Sequence, residues 1–126
     1  MAVSNTYYFA RSIRKEVKGL SGSTDGIGWV FPDQDGNGTH VNISGAAVAK
    51  NSKNKENAIK FIEYLTSEQA QSYFAAGNDE YPVIEGVALS SSVQQLGTFK
   101  ADDLGLEELG KNQATAQKIY NEIGYK

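Results

Sequence analysis

Two adjacent phenols, Tyr7 and Tyr8, stand near the start of this 126-residue chain, in the run Asn5-Thr6-Tyr7-Tyr8-Phe9. A phenol oxygen is a hard donor once it loses its proton, and hard oxygen donors suit a hard cation such as Fe(III). A bound cation also inverts the usual ionisation order, so a phenol that is neutral in water at pH 7 can ionise on the metal. Adjacent tyrosines are more often the edge of a helix or strand with one ring buried, which is the second reading of this pair. Residue types alone leave both open.

The other chemistry-bearing residues do not assemble into a set. Asp33, Asp35, Asn37 and Gly38 match positions 1, 3, 5 and 6 of an EF-hand loop, but Ser44 stands where the bidentate Glu is needed. The flank Trp29-Val30-Phe31-Pro32 is also no helix, so the segment reads as a Gly/Asp-rich turn. His40 is the single histidine, which excludes any pair of ligating imidazoles. No Gly-x-Ser-x-Gly elbow occurs, and Gly26-Ile27-Gly28 leads into an apolar run instead of opening a helix. Glu56, Glu63 and Glu68 read as a solvated helical face. No nucleophile–base or acid–base set emerges, so an enzyme is not expected.

The elements that must position these residues follow from hydrophobic spacing. Phe9, Ile13 and Val17 recur every four residues and predict a helix from Thr6 to about Lys18. Glycines and small polar residues then make a loop, followed by a short strand at residues 27–31 halted by Pro32. Val41 and Ile43 suggest another strand, closely packed at Gly45. Ala58, Phe61, Ile62 and Leu65 form one helical stripe. Ser67 restarts a helix that carries Ala70, Tyr73 and Phe74 to a stop at Gly77-Asn78. Residues 81–84 read as an extended piece containing Pro82, and Ser90-Ser91-Ser92 as a cap before Val93 and Leu96. Asn112 is expected to cap a last helix with Ala116, Ile119, Tyr120 and Ile123 turned inward. Interleaved strands and helices make the class α/β.

Composition narrows the function classes. Hydrophobic residues make up 40% and charged residues 21%, with a net charge of −3 and a pI near 5.1, which offers no basic footprint for nucleic acid. The absence of cysteine excludes disulfides, thiolate metal sites and a cysteine nucleophile. No apolar run has the length of a membrane span. The opening Met1-Ala2-Val3 lacks the charged and apolar regions of a secretion signal and reads as a start within a fold.

Four motifs, in order, resemble the C-terminal portion of the periplasmic ferric-iron-binding proteins of ABC importers, of the cyanobacterial and proteobacterial type. They are the run from Ala2 to Arg11 around the tyrosine pair, Val30-Phe31-Pro32-Asp33-Gln34-Asp35-Gly36-Asn37-Gly38 continuing to Gly45, Asn57-Ala58-Ile59-Lys60-Phe61-Ile62-Glu63-Tyr64-Leu65 with Ser67-Glu68-Gln69-Ala70-Gln71, and Glu80-Tyr81-Pro82-Val83. The ending Asn121-Glu122-Ile123-Gly124-Tyr125-Lys126 also matches.

The resemblance implies a partial two-lobed, type II periplasmic-binding-protein-like fold in which elements of the N-terminal lobe are missing. Tyr7 and Tyr8 would be ferric ligands, with Asn5 beside the metal or its anion. Residues 1–40 would supply part of the second lobe and the approach to a hinge. Residues 41–88 would return to the first lobe, and residues 89–126 would pack on the second. The cargo would be Fe(III), bound weakly here because two phenolates leave most of its coordination sphere open. The partner would be an inner-membrane ABC permease and the location the periplasm; nucleic acid and a membrane span are not expected. The competing readings are a self-contained α/β interaction module with no metal role, and the same scaffold carrying another small ligand.

Overall fold

The computed structural model describes residues 1–14 and 26–125. Val17 and most of the expected glycine-rich loop lie outside the described residues. The chain divides into two compact units, one made of Met1–Val30 with Ile43–Thr98 and the other of Phe31–Asn42 with Phe99–Lys126.

The first unit is helical. Its leading helix α1 (Thr6–Ile13) is entered through extended Asn5 and ends at extended Arg14, whose N–H still reaches the Ala10 carbonyl at 3.1 Å. Helix α2 (Lys55–Leu65) and helix α3 (Glu68–Asn78) form a helical hairpin broken at Thr66-Ser67. The break holds because Ser67 Oγ accepts from the Ala70 N–H and satisfies one of the donors left open at a helix start. The one-turn helix α4 (Ser91–Gln94) is capped in the same way, with Ser90 Oγ accepting from the Val93 N–H. Helix α1 packs on α4. Ala10 and Val93 are fully buried, and Leu96 nearly so. Beside them the Phe9 and Trp29 rings meet at 5.1 Å, and the Trp29 indole N–H donates to the Leu96 carbonyl at 3.0 Å. At the hairpin corner buried Gln71 is satisfied at both ends. Its amide donates to Leu65 O and its carbonyl accepts from the Val83 N–H, which ties the irregular segment after α3 to the corner.

The second unit is held by a turn and a single bridge. Asp33, at φ 56°, accepts from the N–H groups of Gly36 and Gly38 on its carbonyl and from that of Asn37 on its carboxylate. A Cβ at Gly36 would run into the Asp33 carboxylate and force that side chain to shift. The carboxylate is thus turned into its own loop. Gln34 clasps Thr39 Oγ1 and the backbone N–H and C=O of Lys100, beside a parallel bridge between Thr39 and Ala101. The Phe31 and Phe99 rings stack at 4.4 Å. Helix α5 (Leu106–Glu122) completes the unit.

Two expectations need correction. Residues 27–31, 41–43 and 81–84 join no strand ladder, and the Thr39–Ala101 bridge is the one pairing among the described residues. A strand exists only through its neighbour's hydrogen bonds, and those neighbours are not among these residues. The last helix starts at Leu106 instead of Asn112, led by Glu107 and Glu108 in its first turn, where carboxylates favour the helix dipole. Asn112 lies inside it and donates to Glu108 O, and Ile119, Tyr120 and Ile123 are exposed, not inward.

Candidate functional site: a tyrosine pair on the first turn of α1

Asn5 occupies the N-cap of α1, yet its side chain makes no cap hydrogen bond. Its amide reaches forward instead and donates to the Tyr7 hydroxyl at 3.3 Å. The Tyr7 and Tyr8 rings lie 4.4 Å apart at an interplanar angle of 45°. Tyr8 is 55% exposed and Tyr7 half-buried. The guanidinium of Arg11, one turn on, sits 5.1 Å from the Tyr7 ring centre, in the range of a cation–π contact. The structure therefore brings all three sequence-expected residues together.

The Tyr7 phenol is pushed above the usual tyrosine range. The first cause is its hydrogen bond with the Tyr8 hydroxyl, followed by partial desolvation and the charge of an ionised Tyr8. The Asn5 amide and the Arg11 cation act in the opposite direction. Without a cation Tyr7 stays protonated at neutral pH. A cation beside a phenol oxygen favours the ionised form and so acts against that shift.

Among the described residues no group of three or more His, Cys, Asp or Glu side chains converges as a metal cage, and His40 is exposed in the second unit. The groups that do lie together are the Tyr7 and Tyr8 rings, with the Asn5 amide on the Tyr7 hydroxyl. Sequence reading sees Arg11 in a basic helical run after the pair but gives it no role, although its spacing of four from Tyr7 is a usable signal. It also missed a buried anchor at the far end of α1. Arg14 Nη2 donates to Ala76 O at 2.9 Å and pairs with the carboxylate of Asp79, and Asp79 in turn accepts from Ser90 Oγ at 2.7 Å. The two arginines lie at i and i+3 on one helix, but nothing local in the sequence points to Asp79.

Residues 4–101 match the family of bacterial extracellular solute-binding proteins. Over its whole length the chain is 46% identical to iron uptake protein A1 of Synechocystis sp., and it spans 35% of that protein. A solved Trichodesmium protein in complex with iron and citrate superposes with a TM-score of 0.87 at 46% identity, over 98% of this chain and 39% of that one. The ferric binding protein from Campylobacter jejuni superposes with a TM-score of 0.90 at 38% identity, over 99% of this chain and 40% of that one. The fold is accordingly part of an α/β, two-lobed periplasmic-binding-protein-like architecture, of which this chain holds mainly helices. By the span matched and by these likenesses, the chain belongs to the bacterial extracellular solute-binding protein family.

Proposed function

We propose that this chain is the tyrosine-bearing portion of a substrate-binding protein that captures ferric iron in the periplasm for an ABC importer. The carrying observation is the convergence of the Tyr7 and Tyr8 phenols beside the Asn5 amide, in a chain similar to proteins named for iron uptake and ferric binding. Tyr7 and Tyr8 bind as phenolates, and Asn5 steadies Tyr7 or an accompanying anion. The iron is cargo, so capture requires binding and release but no bond-making on the protein. Closure of two lobes about the segment around Gln34–Gly45 would bury the metal in the longer fold and present a surface to the permease. The lobe assignment 1–40, 41–88 and 89–126 goes with this proposal.

The test is a titration with ferric nitrilotriacetate, followed through the visible phenolate-to-iron band. The native chain should develop the band with weak affinity, because two ligands leave much of the metal's coordination sphere to water or chelator. Tyr7→Phe and Tyr8→Phe should each diminish it, and the double substitution should abolish it. A band that survives the double substitution would sink the reading. Binding by the native chain tight enough to strip iron from citrate would contradict the two-ligand picture.

A further inference from the structure

We propose that Asp79, acting through Arg14, is a positioning residue for the tyrosine helix, an inference that rests on the ferric reading of Tyr7 and Tyr8. Asp79 caps the C-terminus of α3 in the left-handed region, at φ 57°, with its side chain 0% exposed. One carboxylate oxygen, Oδ1, gathers Arg14 Nη2 from the end of α1 and Ser90 Oγ from the cap of α4. Three elements therefore meet at one atom. Arg14 also donates to Ala76 O, and Arg11 Nη2 reaches Asn78 O at 3.5 Å, so α1 grips the last turn of α3 by two side chains.

Two features set this carboxylate apart from ordinary packing. Its second oxygen, Oδ2, is buried and has no hydrogen-bond partner among the described residues. Its backbone holds a conformation that a non-glycine residue adopts only at a cost. A buried ion pair with an unsatisfied oxygen is a poor source of stability, because desolvation offsets the attraction. Its best-attested use is to select one arrangement among several. Here the arrangement selected is the angle of α1.

Geometry gives that angle its importance. Tyr8 and Arg14 are six residues apart, so the lever between them is about 9 Å at 1.5 Å per residue. A swing of about 10° at the anchored end would move the tyrosine backbone by roughly 1.5 Å, whereas metal–ligand distances tolerate only about 0.2 Å. The clamp at Asp79 therefore lies away from the phenols and still governs whether both oxygens can reach one ion.

The experiment uses the full 126-residue chain, ferric nitrilotriacetate as probe, and four variants: Arg14→Met, Arg14→Lys, Asp79→Asn and Gln71→Ala. Gln71 is the control, since it stitches the α2–α3 corner and makes no bond to α1. Far-UV circular dichroism and melting follow the fold; the visible band follows the site. Arg14→Met and Asp79→Asn are expected to retain helix, weaken ferric association about tenfold, in the range known for residues supporting metal ligands, and shift the band. Arg14→Lys, which keeps the charge with fewer donors, should fall between them and the native chain. Gln71→Ala should melt earlier yet keep the native affinity and band.

Native affinity and band in Arg14→Met and Asp79→Asn would overturn the proposal, as would an equal loss in Gln71→Ala. If Arg14→Met fails to fold, Arg14→Lys decides by the same criteria. A native chain with no band dependent on Tyr7 and Tyr8 defeats the ferric reading and this inference together. A native band that the clamp variants leave unaltered defeats this inference alone.

Discussion

On an α-helix successive residues project about 100° apart, so adjacent side chains ordinarily diverge. Tyr7 and Tyr8 nevertheless bring their rings to 4.4 Å, because they stand in the opening turn, where Asn5 takes hold of one hydroxyl instead of capping the helix. The chemical types at positions 5, 7 and 8 could be read from the sequence, but their convergence could not. It depends on where α1 begins and on which way one amide turns. A prediction follows at this scale from the raised Tyr7 phenol. Below its pKa the free chain holds that proton, whereas the iron-bound chain has lost it. Binding must then release protons, and the apparent ferric association constant should rise with pH through the neutral and mildly alkaline range. Titrations in nitrilotriacetate at several pH values, corrected for the chelator's own protonation, would measure the slope. A flat profile would mean that the phenols bind as neutral groups or not at all.

Among the elements, those with local signals were legible. Ser67 and Ser90 cap α3 and α4 as their types and positions suggest, because a hydroxyl meeting a first-turn N–H is a purely local event. Replacing Ser67 by Ala should cost about 1 kcal/mol, read from chemical denaturation, and should fray the start of α3 first. The strands were misread for the complementary reason: alternation marks a face but cannot supply a partner. Helix α5 was misread because Asn112 is a good cap in isolation, whereas Leu106, Glu107 and Glu108 already propagate the helix upstream of it. Gly38 marks the other kind of constraint. It sits at φ 109°, and a Cβ there would lie 2.7 Å from the Ala101 backbone. Gly38→Ala should therefore cost about 1–3 kcal/mol and open the Thr39–Ala101 bridge. Faster hydrogen exchange at the Thr39 and Asp102 amides, with α1–α4 unaffected, would report it.

At the scale of the whole molecule, few apolar side chains among the described residues are buried within either unit. Large apolar side chains stand open on α2, on α3 and at the C-cap of α5, including Phe61, Tyr73 and Ile123, each at least 60% exposed. Among the described residues every buried hydrophobic one belongs to the first unit. Unfolding therefore exposes less new surface than the chain length suggests. Its heat-capacity increment should fall below the usual value of about 12–15 cal/mol/K per residue, measurable by calorimetry. A value at the full figure would show that the chain buries far more in solution. The Thr39–Ala101 bridge carries one more implication. It joins segments 31–42 and 99–126 across the whole of residues 43–98. Closing a flexible loop of that length costs about 3.7 kcal/mol of chain entropy, far more than one bridge returns. The bridge is therefore expected to form late, after the intervening helices have condensed, and pulse-labelled hydrogen exchange at the Thr39 amide would test that order.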